Sequence, residues 1–164
     1  MFKKIALAAA LAVMASSSFA ADAPKWYAGV DAGTTKLDGY SDRETSYGAF
    51  VGYQFNANYA IEGGYRRLAD FDVNGVDVKA DQTALSLVAT LPLSNGFGVF
   101  GRLGYNRVDV KASYNGFSAK DNTNGGLYGI GATYAFTPVI TGRIEVQRPS
   151  SDSTNYSAGV AFSF

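Results

Sequence analysis

Cysteine and histidine are both absent from this 164-residue sequence. Without cysteine, the chain has no disulfide framework to support a small core. Without histidine, it lacks the commonest metal ligand and the general base of Ser-His and Cys-His enzymes. We therefore expect a protein that is not an enzyme and that holds no metal or other cofactor.

Long apolar runs are also missing. The longest, Ile5–Met14, has about half of the roughly 20 residues that a membrane-spanning helix requires. It follows the basic pair Lys3-Lys4 and precedes the small-x-small site Ser18-Phe19-Ala20. This order predicts a secretory signal peptide over residues 1–20. An uncleaved N-terminal anchor is the alternative, and the shortness of the run disfavours it.

Charge is sparse, at 17% of residues, and nearly balanced. Removal of Lys3 and Lys4 with the signal peptide leaves 12 basic and 14 acidic residues. Nucleic-acid binding normally requires a clustered basic patch, so we do not expect this function. No linker or shift of composition divides residues 21–164, which we predict to form one domain.

Strict alternation of apolar and polar residues recurs eight times in residues 21–164, and it predicts strands with two different faces. Tight links alternate with longer links. This arrangement is typical of an all-β, eight-stranded antiparallel up-and-down transmembrane β-barrel. The predicted strands are Trp26–Lys36, Ser46–Phe55, Tyr59–Leu68, Thr83–Leu91, Phe97–Arg107, Leu127–Phe136, Ile140–Arg148 and Tyr156–Phe164. The longer links are Leu37–Thr45, Ala69–Gln82 (with a hairpin tip at Val73–Val76), Val108–Gly126 and Pro149–Asn155.

Each predicted strand has one face that carries no charge before its loop end, and the opposite faces together carry Asp31, Glu62, Arg66, Arg102, Arg143 and Glu145, interleaved with glycines. The uncharged face has aromatic residues at both ends and aliphatic residues between them, like the two aromatic girdles of membrane barrels. A soluble barrel of lipocalin type is the alternative, but eight strands leave too little interior space for so bulky a face. We therefore predict that the uncharged face meets lipid. Its aromatic residues are Tyr47, Tyr65, Tyr105, Tyr128 and Tyr156 at one end and Trp26, Phe55, Tyr59, Phe97, Phe136 and Phe164 at the other.

Several segments resemble strands of the OmpA-like family of small outer-membrane β-barrels. The last segment matches the family's assembly signal, a polar residue, a glycine and two alternating aromatics: Ser157, Gly159, Phe162 and Phe164. The resemblance implies an integral protein of the bacterial outer membrane that the barrel-assembly machinery inserts. Larger members append a periplasmic peptidoglycan-binding domain, which we do not expect here. The other segments are Trp26–Gly33, Ala60–Arg66, Gly101–Tyr105, Gly129–Tyr134 and Thr141–Val146.

Three arginines and three acidic residues fall on the predicted lumen face. Buried charges are tolerated when they are paired, so we interpret them first as a plug of ion pairs. The resemblance adds a second interpretation, because inward salt bridges act as gates in some OmpA-like barrels. Glycosidase chemistry is not expected, since the guanidinium groups keep the carboxylates ionised. The six residues are Asp31, Glu62, Arg66, Arg102, Arg143 and Glu145, of which Glu62, Arg102, Arg143 and Glu145 would form the gate.

Four basic residues end the odd-numbered strands on the lipid face: Lys36, Arg67, Arg107 and Arg148. Nine tilted residues rise roughly 23 Å, close to the apolar band of about 25 Å, so this ring is expected at the outer headgroup level. There the four side chains either extend to water or bind lipopolysaccharide phosphates. Outer-membrane lipid and lipopolysaccharide are therefore the expected partners. A closed barrel needs no second copy, so we expect a monomer.

The long links also hold aromatic residues among their charges, namely Tyr40, Phe71, Tyr114 and Phe117. Exposed aromatics on loops serve contact with partners in some proteins and pack against their own loop in others. Three functions thus remain open: a structural envelope protein, a narrow gated pore for ions or small solutes, and a surface-binding protein. We favour the first, since paired charges would fill the lumen.

Overall fold

The computed structural model describes residues 24–37, 43–73, 76–114 and 117–164. The predicted signal peptide and Tyr40 lie outside them. Eight antiparallel strands in chain order form a closed barrel, which confirms the predicted fold. The strands are β1 (Lys25–Leu37), β2 (Arg43–Gln54), β3 (Tyr59–Val73), β4 (Val76–Pro92), β5 (Phe97–Tyr114), β6 (Phe117–Ala135), β7 (Ile140–Ser150) and β8 (Ser153–Ser163).

The barrel closes where β1 pairs with β8, from Tyr27 opposite Ser163 to Leu37 opposite Ser153. On its other side β1 pairs with β2, so it has hydrogen-bonded neighbours on both edges. Closure lets the backbone groups bond to one another, which is necessary in hydrocarbon because no water can replace these bonds. Within the described residues, no helix is long and apolar enough to cross a membrane.

Three tight turns lie together at one end of the barrel, as the sequence predicts. In the β2–β3 turn, Asn56 Oδ1 accepts hydrogen bonds of 2.9 Å from the backbone N–H groups of Asn58 and Tyr59. In the β4–β5 turn, Asn95 and Gly96 adopt φ angles of 59° and 79°. Asparagine and glycine are the residues that tolerate this left-handed conformation best, and they fix the tight reversal.

At the opposite end, two hairpins are longer than predicted. The pairing of β3 with β4 continues to Val73 opposite Val76, and that of β5 with β6 continues to Tyr114 opposite Phe117. The pairing of Val73 with Val76 confirms the hairpin tip predicted within residues 69–82, whereas the prediction of a long link over residues 108–126 is wrong, because strand pairing continues through most of it. The link over residues 149–155 is also shorter than predicted, since only residues 151–152 separate β7 from β8.

In β5 the apolar residues change from outward to inward positions beyond Arg107, which explains why the strand is longer than predicted. Up to Arg107, the odd-numbered residues of β5 face outward and are mainly apolar. Beyond it the apolar residues are even-numbered, as in Val108 and Val110, while Asp109 and Lys111 take the outward positions. Outside the bilayer the outward face meets water, so an apolar exterior is no longer favourable. A strand predicted from its apolar outward residues therefore ends at Arg107, although the strand in the structure continues.

The uncharged face lies on the outside of the barrel along all eight strands. At mid-height Leu103, Ile130 and Ile144 are 68%, 71% and 61% exposed, values that would be unfavourable in water but suit a lipid environment. Aromatic rings pack side by side at the end with the tight turns. The ring centroids of Phe97 and Tyr134 lie 4.7 Å apart, and those of Trp26 and Tyr53 lie 5.0 Å apart.

Candidate functional site

The lumen is crossed at mid-height by a layer of charged side chains centred on Arg102. Its Nη2 donates to Glu62 Oε1 at 2.6 Å, and its Nε donates to Glu145 Oε1 at 2.6 Å. Arg143 Nη1 donates to the second oxygen of Glu62 at 2.8 Å, and the Tyr27 hydroxyl donates to the same oxygen at 3.0 Å. The Glu62 carboxylate thus accepts hydrogen bonds from three side chains. We call these five residues the central plug.

Arg143 also contacts groups outside these bonds. Its guanidinium carbon lies 3.5 Å from the centroid of the Phe50 ring, a cation–π contact in a site shielded from solvent. Its Nη2 lies 3.6 Å from Glu145 Oε2 and 3.8 Å from Asp31 Oδ2. Arg143 therefore has three carboxylates within 4 Å. This is the geometry needed if a cation is to change partners without leaving the lumen.

A second polar cluster, the upper plug, lies towards the end with the long hairpins. Arg66 Nη2 is 2.7 Å from Asp31 Oδ2, and Arg66 Nη1 donates to Asn155 Oδ1 at 2.6 Å. Asn155 has no exposed surface, and its amide donates to Ser46 Oγ at 2.7 Å and to Thr35 Oγ1 at 3.0 Å. One amide therefore links β1, β2, β3 and β8 above the central plug.

Glycines make room for these side chains across the strands. Arg102 pairs in register with Gly129, Arg143 with Gly159, and Glu62 with Gly52. The three inward aromatic residues follow the same rule: Tyr27 is opposite Gly52, Phe50 is opposite Gly29, and Phe100 is opposite Gly131. A Cβ placed on Gly52 would lie 2.2 Å from Cζ of Tyr27. Large lumen residues and glycines therefore form complementary pairs on neighbouring strands.

Open space remains above and below the central plug. Above it, a void of about 30 Å³ is lined by Asp31, Arg66 and Gln82 among others, and one buried atom of each has no hydrogen-bond partner within the protein. This is about the volume of one water molecule, and the unpaired polar atoms suit one. Below it, a cavity of about 310 Å³ opens towards the tight turns. Glu62 and Arg143 of the central plug line both spaces.

The structure brings all six predicted lumen charges together, in two clusters linked by Arg143. Five participants were not identified from the sequence: Tyr27, Thr35, Ser46, Phe50 and Asn155. A signal for them is present, because each has the same strand parity as the lumen charges, and Tyr27 and Phe50 face glycines across their strands. In the described part of the chain, no group of three acidic or other ligating side chains is placed to hold a metal ion.

The predicted basic ring lies on the outward face, and two of its members are paired with acidic residues. Arg67 Nε is 2.9 Å from Asp81 Oδ1, and Arg107 Nε is 2.9 Å from Asp109 Oδ1. Partial burial opposes ionisation of Asp81, but hydrogen bonds from Arg67 and Tyr65 and the Arg67 charge outweigh it, so the pKa of Asp81 is lowered. Lipopolysaccharide binding by the ring stays a prediction. The pairing predicts weaker phosphate contacts from Arg67 and Arg107 than from Lys36.

The four residues of the predicted assembly signal divide between the two faces of β8. Ser157 and Gly159 have lumen parity, while Phe162 and Phe164 lie outside and are 52% and 68% exposed, with ring centroids 6.4 Å apart. Phe164 adds one residue pair to the pairing of β1 with β8, since its backbone N–H donates to the Trp26 carbonyl oxygen at 2.9 Å. Their role in assembly stays a prediction.

A closed barrel with an uncharged apolar band on its exterior, two aromatic girdles and an ion-paired interior defines the class of integral outer-membrane β-barrel proteins. Comparison with known proteins identifies the family. The sequence model of the family described as outer membrane protein beta-barrel domain matches residues 5–164, and the chain belongs to this family. It is therefore an integral protein of the outer membrane.

Curated relatives agree with this assignment. The chain is 32% identical over 168 residues to outer membrane protein A of Yersinia pseudotuberculosis serotype I (strain IP32953), covering 88% of this chain and 48% of the relative. It is 30% identical over 181 residues to outer membrane protein P5 of Haemophilus influenzae, covering 88% and 50%. The resemblance to OmpA-like barrels is thus confirmed. The chain spans about half the length of the curated relatives it matches.

Solved structures share the fold at low sequence identity. Neisserial surface protein A superposes with a TM-score of 0.70 at 16% identity, covering 88% of this chain and 99% of that chain. The attachment invasion locus protein Ail of Yersinia pestis, in complex with the heparin analogue sucrose octasulfate, gives a TM-score of 0.63 at 17% identity, covering 86% and 97%. These similarities show the architecture.

Proposed function

We propose that this protein is a structural component of the envelope, a barrel whose lumen is sealed by paired charges. The observation that carries the proposal is the central plug, in which the Arg102 side chain is only 6% exposed and lies 2.6 Å from two carboxylates. Separating a buried pair leaves an uncompensated charge, at a cost of about 3–5 kcal/mol. The resting lumen therefore resists ions, and the barrel can reinforce the membrane without opening it.

Deletion of the gene tests this role. We expect the deletion strain to take up more of the hydrophobic dye 1-N-phenylnaphthylamine, because a stabilising component has been lost from the outer leaflet. Wild-type protein should restore the barrier, and so should a variant changed only at an exposed cation of β6, Lys120→Met. A deletion strain with an unchanged barrier and unchanged levels of the other outer-membrane proteins would contradict a structural role.

A gated pore is the second candidate, and the spaces on either side of the central plug favour it. Buried polar atoms of Gln82, Ser86 and Asn106 have no hydrogen-bond partner within the protein, and Gln82 lines the space above the plug. The cavity below opens to the end with the tight turns, the periplasmic end in barrels of this class. Exchange of Arg143 from Glu62 to Glu145 or Asp31 would need movements of only a few ångströms. Surface binding has no such support and stays a prediction.

Single-channel recording in planar bilayers tests the gate. If partner exchange opens the lumen, Arg143→Gln should change the opening frequency of the channel several-fold, because glutamine keeps the hydrogen-bonding capacity but removes the mobile charge. Lys120→Met, which lies outside the lumen, serves as the matched control. Identical recordings from the wild type, Arg143→Gln and the control would rule out gating by this residue, and a silent wild type and variant would support the sealed barrel.

A further inference from the structure

The cavity below the central plug has the features of a small-molecule site. Its volume of about 310 Å³ lies at the lower end of the roughly 300–1,000 Å³ typical of ligand pockets. We call it the periplasmic vestibule. Its walls include a cluster of buried apolar side chains, Ala60, Val88 and Phe100, against which the ring of Tyr27 packs. This apolar wall takes no part in the ion pairs of the central plug.

The charges of the vestibule are unevenly distributed. Its lining includes two cations, Lys25 and Arg143, and one carboxylate, Glu62. Glu62 lies at the inner end and is already bonded to Tyr27, Arg102 and Arg143. Lys25 lies at the mouth, on the lumen face of β1 and opposite Gln54 of β2. An anion that enters from the periplasm therefore meets a cation first, and Glu62, the one acidic side chain among the described residues of the lining, is already compensated.

Apolar walls beyond a cationic mouth fit an amphiphilic ligand. We propose that the periplasmic vestibule binds a small organic carboxylate, with its carboxylate group at Lys25 and its apolar body against Val88 and Phe100. Such a ligand would replace water on the apolar wall, which is favourable, and would keep its charge at the wet end of the cavity. The site is independent of whether the central plug opens, since the ligand enters and leaves on one side.

Methyl NMR of the protein in nanodiscs tests the site with 3-phenylpropionate as the probe and its neutral analogue 3-phenylpropanol as the comparison. We expect saturable shifts at the methyl groups of Ala60, Val88 and Ala161, with tighter binding of the carboxylate. Lys25→Gln should weaken binding of the carboxylate about fivefold and leave the alcohol unchanged. Val88→Trp, which fills the cavity, should abolish the shifts at Ala60 and Ala161 with both probes.

The matched control is Lys120→Gln, at an exposed position on β6, which should bind like the wild type. Shifts confined to outward methyl groups such as those of Val30 and Leu87 would mean that the probe only partitions into lipid, and would overturn the proposal. Equal affinities of the wild type and Lys25→Gln for the carboxylate would also overturn it. Neither outcome would bear on the structural role, which depends on the central plug.

Discussion

Replacing Arg102 with methionine is expected to lower the free energy of unfolding by about 3–5 kcal/mol, the largest effect of any single change in the lumen. The reason is that Arg102 bonds to both Glu62 and Glu145, and each carboxylate has almost no exposed side-chain surface. Methionine fills a similar volume but leaves Glu145 with only the 3.6 Å contact to Arg143. Urea unfolding of the barrel in lipid vesicles, followed by the fluorescence of the single tryptophan, Trp26, measures the change.

Two further variants show whether the loss of stability comes from the carboxylate left unpaired in the lumen or simply from the removal of a cation. Lys120→Met removes an exposed cation and should change the free energy of unfolding by less than about 0.5 kcal/mol. Arg102→Met combined with Glu145→Gln should recover part of the loss, because the carboxylate left without its partner is then neutral. If Arg102→Met were as stable as Lys120→Met, the central plug would contribute nothing to stability, and the account of the lumen would be wrong.

Replacing Gly52 with valine is expected to destabilise the barrel by about 1–3 kcal/mol, the usual cost of overpacking. A Cβ at this position would lie 2.2 Å from Cζ and 2.4 Å from the hydroxyl oxygen of Tyr27. The ring must therefore move, and its hydrogen bond to Glu62 is lost. Gly63→Val is the matched control on the neighbouring strand, because a Cβ on Gly63 meets no atom within 4 Å. The same urea titration compares the two.

A double-mutant cycle tests whether contact with the Tyr27 ring causes the loss of stability in Gly52→Val. In the pair Tyr27→Ala and Gly52→Val, the valine occupies space that the ring has vacated, so the double variant should be more stable than the sum of the single effects predicts. Strict additivity would show that Gly52 is required for another reason, such as backbone conformation. Equal losses in Gly52→Val and Gly63→Val would show that the direction of the side chain has no influence.

The fold was predictable because a transmembrane strand carries a strong period of two. The apolar face and the aromatic girdles follow from alternation within each strand, whereas the tight turns follow from the Asn, Pro and Gly residues between strands. All three agree with the structure. The hairpin tip at Val73–Val76 was predicted from its turn residues, but the full length of the long hairpins was not predictable from this alternation. Beyond Arg107 both faces of β5 meet a different environment, and the apolar residues change parity.

The lumen charges were predictable as a set, but their pairing was not. Parity alone assigns Glu62, Arg102 and Arg143 to one face, whereas pairing depends on the stagger of the strands around the barrel. This stagger sets Arg102 of β5 beside Glu62 of β3 and Glu145 of β7, strands that are not its hydrogen-bonded neighbours. Tyr27 and Phe50 were overlooked because the prediction for the lumen considered only the charged residues of that face. Their glycine partners in register identify them as lumen residues.

Spin labels at single cysteines test most directly which face meets hydrocarbon, since the chain has no cysteine of its own. Leu87 and Leu103 lie on the outer face, while Thr90 and Thr141 line the periplasmic vestibule, where a label has room. In lipid bilayers we expect labels at Leu87 and Leu103 to collide mainly with oxygen, and labels at Thr90 and Thr141 to collide mainly with a water-soluble nickel chelate. The reverse pattern, with nickel at the two leucines and oxygen at the two threonines, would contradict the account.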